Sequence, residues 1–274
     1  MLPVLGISCI TVEQVIEDAA SPEAVEAIDA NFRHWLPLIV LNGGSIEEVH
    51  GCLRWRSATQ LPLFNGVIGE PTSQEPAAGL DEVLEPFDAD GVPLLWVTRQ
   101  PGVMDEALRQ RGFELEQLLA MNVDLAEVVV PPAPEGVELR QVDDDPALLR
   151  AAVEISMLTL GMGPAFVDPM LALVQAIPER DRICYFLALV DGVPAAASLL
   201  SLAEGVAGIY NVGTLEGYRG KGLGALVTAT ALEVGRAAGY KVGTLHATAM
   251  GEPVYRRLGF EGRFGYIYAA RGGH

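Results

Sequence analysis

The chain is short of positive charge: 18 lysines and arginines stand against 36 aspartates and glutamates, a formal net charge of −18 over 274 residues. That deficit argues against a nucleic-acid partner, because sequence-independent binding relies on clustered cations that neutralise phosphates. No apolar run reaches the roughly 18 residues needed to cross a bilayer. The opening MLPVLGISCITVEQVIEDAA has neither the basic start nor the cleavage site of a secretory signal. No membrane partner is therefore expected, and a cytoplasmic location is. Cysteine is scarce, and Cys9, Cys52 and Cys184 lie far apart with no CxxC spacing. The expectation is reduced, buried thiols and no metal site.

What is present is a globular composition, 50% hydrophobic and 20% charged with 18 prolines, long enough for one large domain or two ordinary ones. Charge is uneven: residues 1–134 hold 6 basic and 21 acidic side chains, and residues 135–274 hold 12 and 15. An acidic half could attract a cationic substrate, or it could be solvated charge that aids solubility. The proline-rich stretch VVVPPAPEGVELR has the look of an interdomain connection. We therefore expect a first domain at 1–130, a linker at 131–136 and a second domain at 137–274.

In the second domain VELRQV alternates as a strand, and DDDPALLRAAVEISMLTL and PMLALVQAIPE have helical spacing. Next, ICYFLALVDGVPAAASLLSLAEGVAGIYNVGTL suggests three strands turning at Asp191-Gly192 and Glu204-Gly205. A helix from Gly222 to Ala238, the strand KVGTLHAT, the short helix GEPVYRRL and a hairpin in FEGRFGYIYAA complete it. The order is β-α-α-β-β-β-α-β-α-β-β. This is an α+β fold, with a mixed and mostly antiparallel sheet flanked by helices.

Between the third strand and the long helix lies YRGKGLGA, Tyr218–Ala225. It fits the weak dinucleotide pattern G-x-G-x-x-A, but the following strand ends Leu245-His246-Ala247-Thr248 with no acid to hold a ribose. A Walker A loop fails as well, since Gly222 stands where Ser or Thr is required. What remains is a loop whose glycines expose backbone N–H groups at a helix N-terminus, suited to a pyrophosphate. The alternative is a glycine turn that lets strand and helix pack closely.

Arg219-Gly220-Lys221-Gly222-Leu223-Gly224 resembles the acyl-CoA pyrophosphate loop of the GCN5-related N-acetyltransferases, and Tyr255-Arg256-Arg257-Leu258-Gly259-Phe260 resembles that family's later Y-x-x-L-G-F signature. The strand order also agrees, and the resemblance covers about residues 137–270. It implies the acyl-CoA N-acyltransferase fold, with acetyl-CoA as co-substrate. It further implies a cofactor site of Arg219, Gly220, Lys221, Gly222, Leu223, Gly224 and Ala225 around the pyrophosphate. Val212, Gly213 and Thr214 would pair with the pantetheine arm, the Val212 N–H polarising the thioester carbonyl. Tyr255 would protonate the departing thiolate. The strand Ile209–Thr214 departs from the family pattern in having no carboxylate to act as base. A water held by Asn211, Tyr210 or a strand carbonyl could take the proton, or His246 could; Asn211 and Tyr255 are the catalytic candidates. Glu216 is expected to be a solvated turn residue.

The first half repeats parts of this pattern. Leu108-Arg109-Gln110-Arg111-Gly112-Phe113 lines up with Tyr255–Phe260, and Phe64-Asn65 with Tyr210-Asn211. The copy has no phenol at Leu108, and acids replace the glycine loop after Gly69, so a tandem arrangement with a degenerate first copy is expected. The function anticipated is N-acyl transfer to a small-molecule primary amine, by direct attack in a ternary complex. Cys184, on a predicted buried strand with no paired histidine, is not expected to be a nucleophile. The acceptor, for which the charge balance favours a cation, would enter beside the loop Gly161–Pro169 and Phe166. The alternatives are a non-catalytic CoA sensor or scaffold and a tandem transferase similar to mycothiol synthase. The sequence leaves the oligomeric state open.

Overall fold

A computed structural model describes residues 14–34, 44–57, 62–72, 76–99, 102, 104–177 and 182–272. They fall into two compact units. The larger comprises the described residues up to His34 together with Met121–Arg263, and the smaller those between Trp35 and Ala120 together with Phe264 onward. This differs from the expected division into 1–130 and 137–274. Residues 131–134 have no regular secondary structure and 135–136 form a turn, but the units do not part there.

Helix α1 (Pro22–Arg33) starts where proline presets the first turn and the Ser21 hydroxyl accepts from the Ala24 N–H at 3.1 Å. It belongs to the larger unit because Asn31, fully buried, is tied to that unit's strands. The smaller unit then builds β1 (Ser45–Val49), β2 (Cys52–Arg56), β3 (Gly66–Ile68), α2 (Pro76–Asp90), β4 (Leu94–Arg99), α3 (Asp105–Gln110) and β5 (Glu114–Asp124). Its core gathers Leu80, Leu84, Phe87, Trp96, Leu108 and Phe113. His50 and Gly51, with φ of 52° and 82°, close the β1–β2 hairpin.

The larger unit adds β6 (Val137–Gln141), α4 (Pro146–Thr159), α5 (Val167–Ala176), β7 (Ile183–Val190), β8 (Val193–Ala203), β9 (Val206–Thr214), α6 (Leu223–Ala237), β10 (Val242–Ala247), α7 (Glu252–Arg257) and β11 (Glu261–Arg271). Its strands lie in the order β5-β10-β9-β8-β7-β6. All neighbouring pairs from β9 to β6 are antiparallel, and β9 with β10 is parallel. The sequence turns fall where expected: Asp191-Gly192 and Glu204-Gly205 have positive φ at both residues, as tight hairpins between right-twisted strands require.

The last segment is a correction. FEGRFGYIYAA is one strand, β11, and not a hairpin. Its residues from Tyr266 pair antiparallel with β4 of the smaller unit. Conversely, the end of β5 serves the larger unit beside β10: Thr244 Oγ1 donates to the Met121 carbonyl at 3.1 Å, and the Leu125 N–H to the Lys241 carbonyl at 2.8 Å. A single cut near residue 134 fails because each half of the chain lends a strand end to the other half's unit.

The internal repeat survives with one shift. In both units a short strand pairs parallel with the strand that precedes the small helix: Gly66–Ile68 with Leu95–Val97, and Ala207–Ile209 with Gly243–Leu245. The helix endings match as well. The Phe113 N–H donates to the Leu108 carbonyl at 3.1 Å, and the Phe260 N–H to the Tyr255 carbonyl at 3.1 Å. Gly112 and Gly259 take the left-handed φ that each closure needs, 81° and 94°. This register sets Gly69-Glu70 against Tyr210-Asn211, so the expected match with Phe64-Asn65 was five residues out.

Candidate active site

The site begins where β9 leaves β10. Parallel pairing holds Ala207–Ile209 against Gly243–Leu245 and goes no further, so among the described residues Tyr210–Thr214 keep a strand partner only in β8. Along β8 the register slips between Ala197, opposite Gly213, and Leu199, opposite Tyr210. Asn211 and Val212 therefore share the place facing Ser198, a bulge that bends the strand and redirects its amides. Asn211 sits at φ 53°, a left-handed conformation that asparagine tolerates better than most side chains.

Helix α4 holds the bulge. Asp145 caps it by accepting from the Ala147 and Leu148 N–H groups, with Pro146 in the first turn. Three turns on, the Ser156 hydroxyl lies 2.9 Å from the Ala152 carbonyl and 3.1 Å from that of Asn211. A side chain at Gly213 would meet Thr159 Oγ1 at 1.9 Å, so only glycine lets the helix approach that closely. On the other face the Tyr210 hydroxyl donates to Asn31 Oδ1 at 2.8 Å, while Asn31 Nδ2 donates to the Ala203 carbonyl at 2.8 Å.

Beyond Thr214 a 3-10 turn, Glu216–Tyr218, leads into the glycine loop. Gly220 and Gly222 have φ of 77° and 78°, and Gly222 is the N-cap of α6. The first intrahelical bond runs from the Leu226 N–H to the Gly222 carbonyl, and no side chain caps the helix. The amides of Leu223, Gly224 and Ala225 thus have no acceptor within the helix, and they lie at its positive end.

Close packing does not account for these glycines. Among the described residues, a Cβ at Gly220 or Gly222 would meet nothing within 4 Å, and one at Gly224 would meet only Thr214 Oγ1 at 3.6 Å. The contrast is Gly235 on the same helix, where a Cβ would come within 2.9 Å of Ala207. Backbone conformation explains Gly220 and Gly222. Neither conformation nor packing explains Gly224, which leaves a bare surface beside the free amides. Two cations flank them: Arg219 Nε donates to the Thr214 carbonyl at 3.2 Å, and the Lys221 ammonium lies 5.3 Å from the Tyr218 ring centroid. Glu216 is exposed, as expected of a turn residue.

Tyr255 stands on α7, which packs against α6. It is 9% exposed, edge-on to Phe260 with centroids 6.0 Å apart, over a Gly251 whose Cβ would come within 2.9 Å of the ring. Burial pushes its phenol up to about 12, so it stays protonated across the physiological range. Leu108, its counterpart in the smaller unit, is fully buried.

The proton-acceptor candidates fare less well. Burial pulls His246 down to about 3, among the rings of Phe32 at 5.4 Å and Tyr210 at 6.3 Å. It is neutral and almost non-basic at pH 7. Tyr210 is raised by burial and engaged with Asn31. Burial likewise raises Tyr185, partly offset by the Asn211 side chain. Asn211 thus has a backbone duty of its own, forming the bulge. Cys184 and Cys52 are buried, the Cys52 thiol pushed up to about 12, and Cys9 lies outside the described residues. Phe166 is half-buried ahead of α5. Ser156, Thr159 and Asn31 were not anticipated; the available signal was three polar side chains on otherwise apolar helix faces.

A family model described as the acetyltransferase (GNAT) family matches residues 155–260. No curated protein matches the chain. Among solved structures, a GCN5-related N-acetyltransferase from Kribbella flavida is 21% identical, with a TM-score of 0.69 over 90% of this chain and 96% of its own. One from Sphaerobacter thermophilus is 17% identical, with a TM-score of 0.62 over 89% and 84%. A tandem GNAT protein from the clavulanic acid biosynthesis pathway, 16% identical, covers 98% of this chain and 94% of its own with a TM-score of 0.56. At these identities the likeness is one of fold, and it extends over nearly the whole length. Residues 155–260, which carry the bulged strand and the uncapped glycine loop, thus match the GNAT family's model, and the chain as a whole has the fold of tandem GNAT structures.

Proposed function

We propose that the protein is an acyl-CoA-dependent N-acyltransferase using acetyl-CoA and a small primary amine in a ternary complex. The observation that carries this reading is Gly224, which nothing among the described residues requires, beside three helix-start amides with no acceptor within the helix. Those amides and Arg219 and Lys221 would hold a diphosphate. The free edge of β9 would pair with the amides of the pantetheine arm, and the Val212 N–H would face the thioester carbonyl oxygen.

The amine nitrogen bonds to the thioester carbon and the carbon–sulfur bond breaks. Tyr255 donates a hydrogen bond to the sulfur as its charge grows. A phenol held near 12 does not give up its proton readily to a thiolate of pKa about 8.5, so Tyr255 stabilises the leaving group, which takes its final proton from water. Neither β9 nor β10 carries a carboxylate, and His246 cannot serve at neutral pH. On this reading the acceptor's proton leaves to solvent, and kcat/KM should rise with pH until the acceptor's own pKa.

Calorimetry with CoA and acetyl-CoA, followed by thiol release across an amine panel that includes polyamines, aminoglycosides and peptide amines, tests the reading. Wild type should bind and turn over, and Tyr255→Phe should lose about 10- to 100-fold in rate, the worth of one hydrogen bond to a charged atom. No binding of either thioester or thiol would end the proposal. The missing strand carboxylate favours a second reading, a CoA sensor, which predicts binding without turnover of any amine.

A further inference from the structure

Strand β6 is the last in the larger unit's sheet, and its bonds to β7 fix which of its backbone groups face outward. The Asp191 N–H donates to the Gly136 carbonyl at 2.8 Å, and the Val142 N–H to the Tyr185 carbonyl at 3.0 Å. Residues two apart face the same way, so Glu138 and Arg140 also turn their backbone groups towards β7. The N–H and C=O groups of Leu139 and Gln141 and the carbonyl of Val137 point to the open edge. The Val137 N–H is turned back onto the Pro134 carbonyl at 3.1 Å. Among the described residues no backbone group bonds to this outward row.

The sequence of this edge, Val137-Glu138-Leu139-Arg140-Gln141, is self-complementary when read antiparallel about Leu139. We propose that β6 docks against β6 of a second copy of this chain, joining the two edges through a twofold axis at Leu139. Each Leu139 then exchanges both backbone bonds with its counterpart, and each Gln141 N–H reaches the other copy's Val137 carbonyl. Glu138 of one copy stands opposite Arg140 of the other, twice. Within one chain these two side chains already lie on one face, Arg140 Nε 2.6 Å from Glu138 Oε1, with both more than half exposed. Two such pairs brought together alternate in sign.

The opposite face supplies the apolar part. Leu139 lines a groove of about 1040 Å³ with Phe186, Leu226 and Val234, walled on the far side by Val128–Pro131. Val129 there is 77% exposed. Directly opposed residues share a face of a sheet, so the second copy's Leu139 enters at the groove and covers apolar surface that one chain leaves open.

Sedimentation of the full chain over a concentration series tests this through charge exchange. Wild type should dimerise. Arg140→Glu, or Glu138→Arg, sets like charges opposite each other and should weaken self-association about tenfold or more. The double variant Glu138→Arg/Arg140→Glu should restore it, and an equimolar mixture of the two single variants should associate although neither does alone. Circular dichroism checks that each variant is folded. A wild type that stays monomeric at hundreds of micromolar, or a dimer indifferent to the single reversals, would overturn the proposal, as would failure of both the mixture and the double variant to recover association.

Discussion

Replacing Asn211 separates a backbone role from a chemical one. Its φ of 53° costs an ordinary L residue about 1–2 kcal/mol, and a β-branched residue there is a genuine outlier. Glycine avoids the strain but adds about 0.4–1 kcal/mol of unfolded-state entropy to be lost. Asn211→Gly should therefore be more stable than Asn211→Ala by roughly 1 kcal/mol in urea unfolding, and Asn211→Val should be the least stable. Because glycine keeps the bulge and the aim of the Val212 N–H, acyl-CoA affinity and turnover in Asn211→Gly should stay within a few-fold of wild type, while Asn211→Val loses both. The reasoning fails if Asn211→Gly binds normally and is the more stable, yet loses turnover as badly as Asn211→Ala. That pattern would put the amide side chain in the chemistry.

Gly224→Val should abolish measurable CoA binding by calorimetry with the unfolding midpoint unchanged, since its Cβ meets only Thr214 Oγ1 at 3.6 Å. The matched control Gly235→Val, whose Cβ would press on Ala207 at 2.9 Å, should instead cost about 1–3 kcal/mol of stability. His246 governs acid tolerance: the unfolded chain takes up a proton near pH 6.5, but the native state holds the imidazole neutral down to about 3. Its contribution to stability is thus intact above pH 6.5 and is lost as pH falls, by about 3 kcal/mol at pH 4; urea titrations of His246→Leu should show a shallower slope between pH 6.5 and 4. Asn31→Leu leaves the Tyr210 and Ser201 hydroxyls without the acceptor they share. It should cost about 2–4 kcal/mol and speed hydrogen exchange across α1, and equal exchange in both proteins would refute the tie.

The strands, their hairpins and the glycine loop were legible because each is specified locally. Asp191-Gly192 and Glu204-Gly205 carry turn chemistry in two residues, and Gly220 and Gly222 mark the left-handed positions that a loop into an uncapped helix needs. What escaped was set by partners distant in sequence. Nothing within FEGRFGYIYAA says that Tyr266 onward will meet β4, some 170 residues earlier, and so reads as strand where a hairpin is equally consistent with the alternation. The site shows the same limit. The pattern offers Asn211, Tyr210 and His246 as groups to move a proton, since a sequence shows side-chain identity alone. Placement removes two of them, Tyr210 by Asn31 from α1 and His246 by burial beneath Phe32 of that same helix, and gives Asn211 a backbone reason to be there in its φ. A helix from the opposite end of the chain thus decides that this pair of strands supplies no base. That is why the proposed chemistry depends on the acceptor's own ionisation, and why a pH profile that follows the amine, not the enzyme, is its most specific consequence.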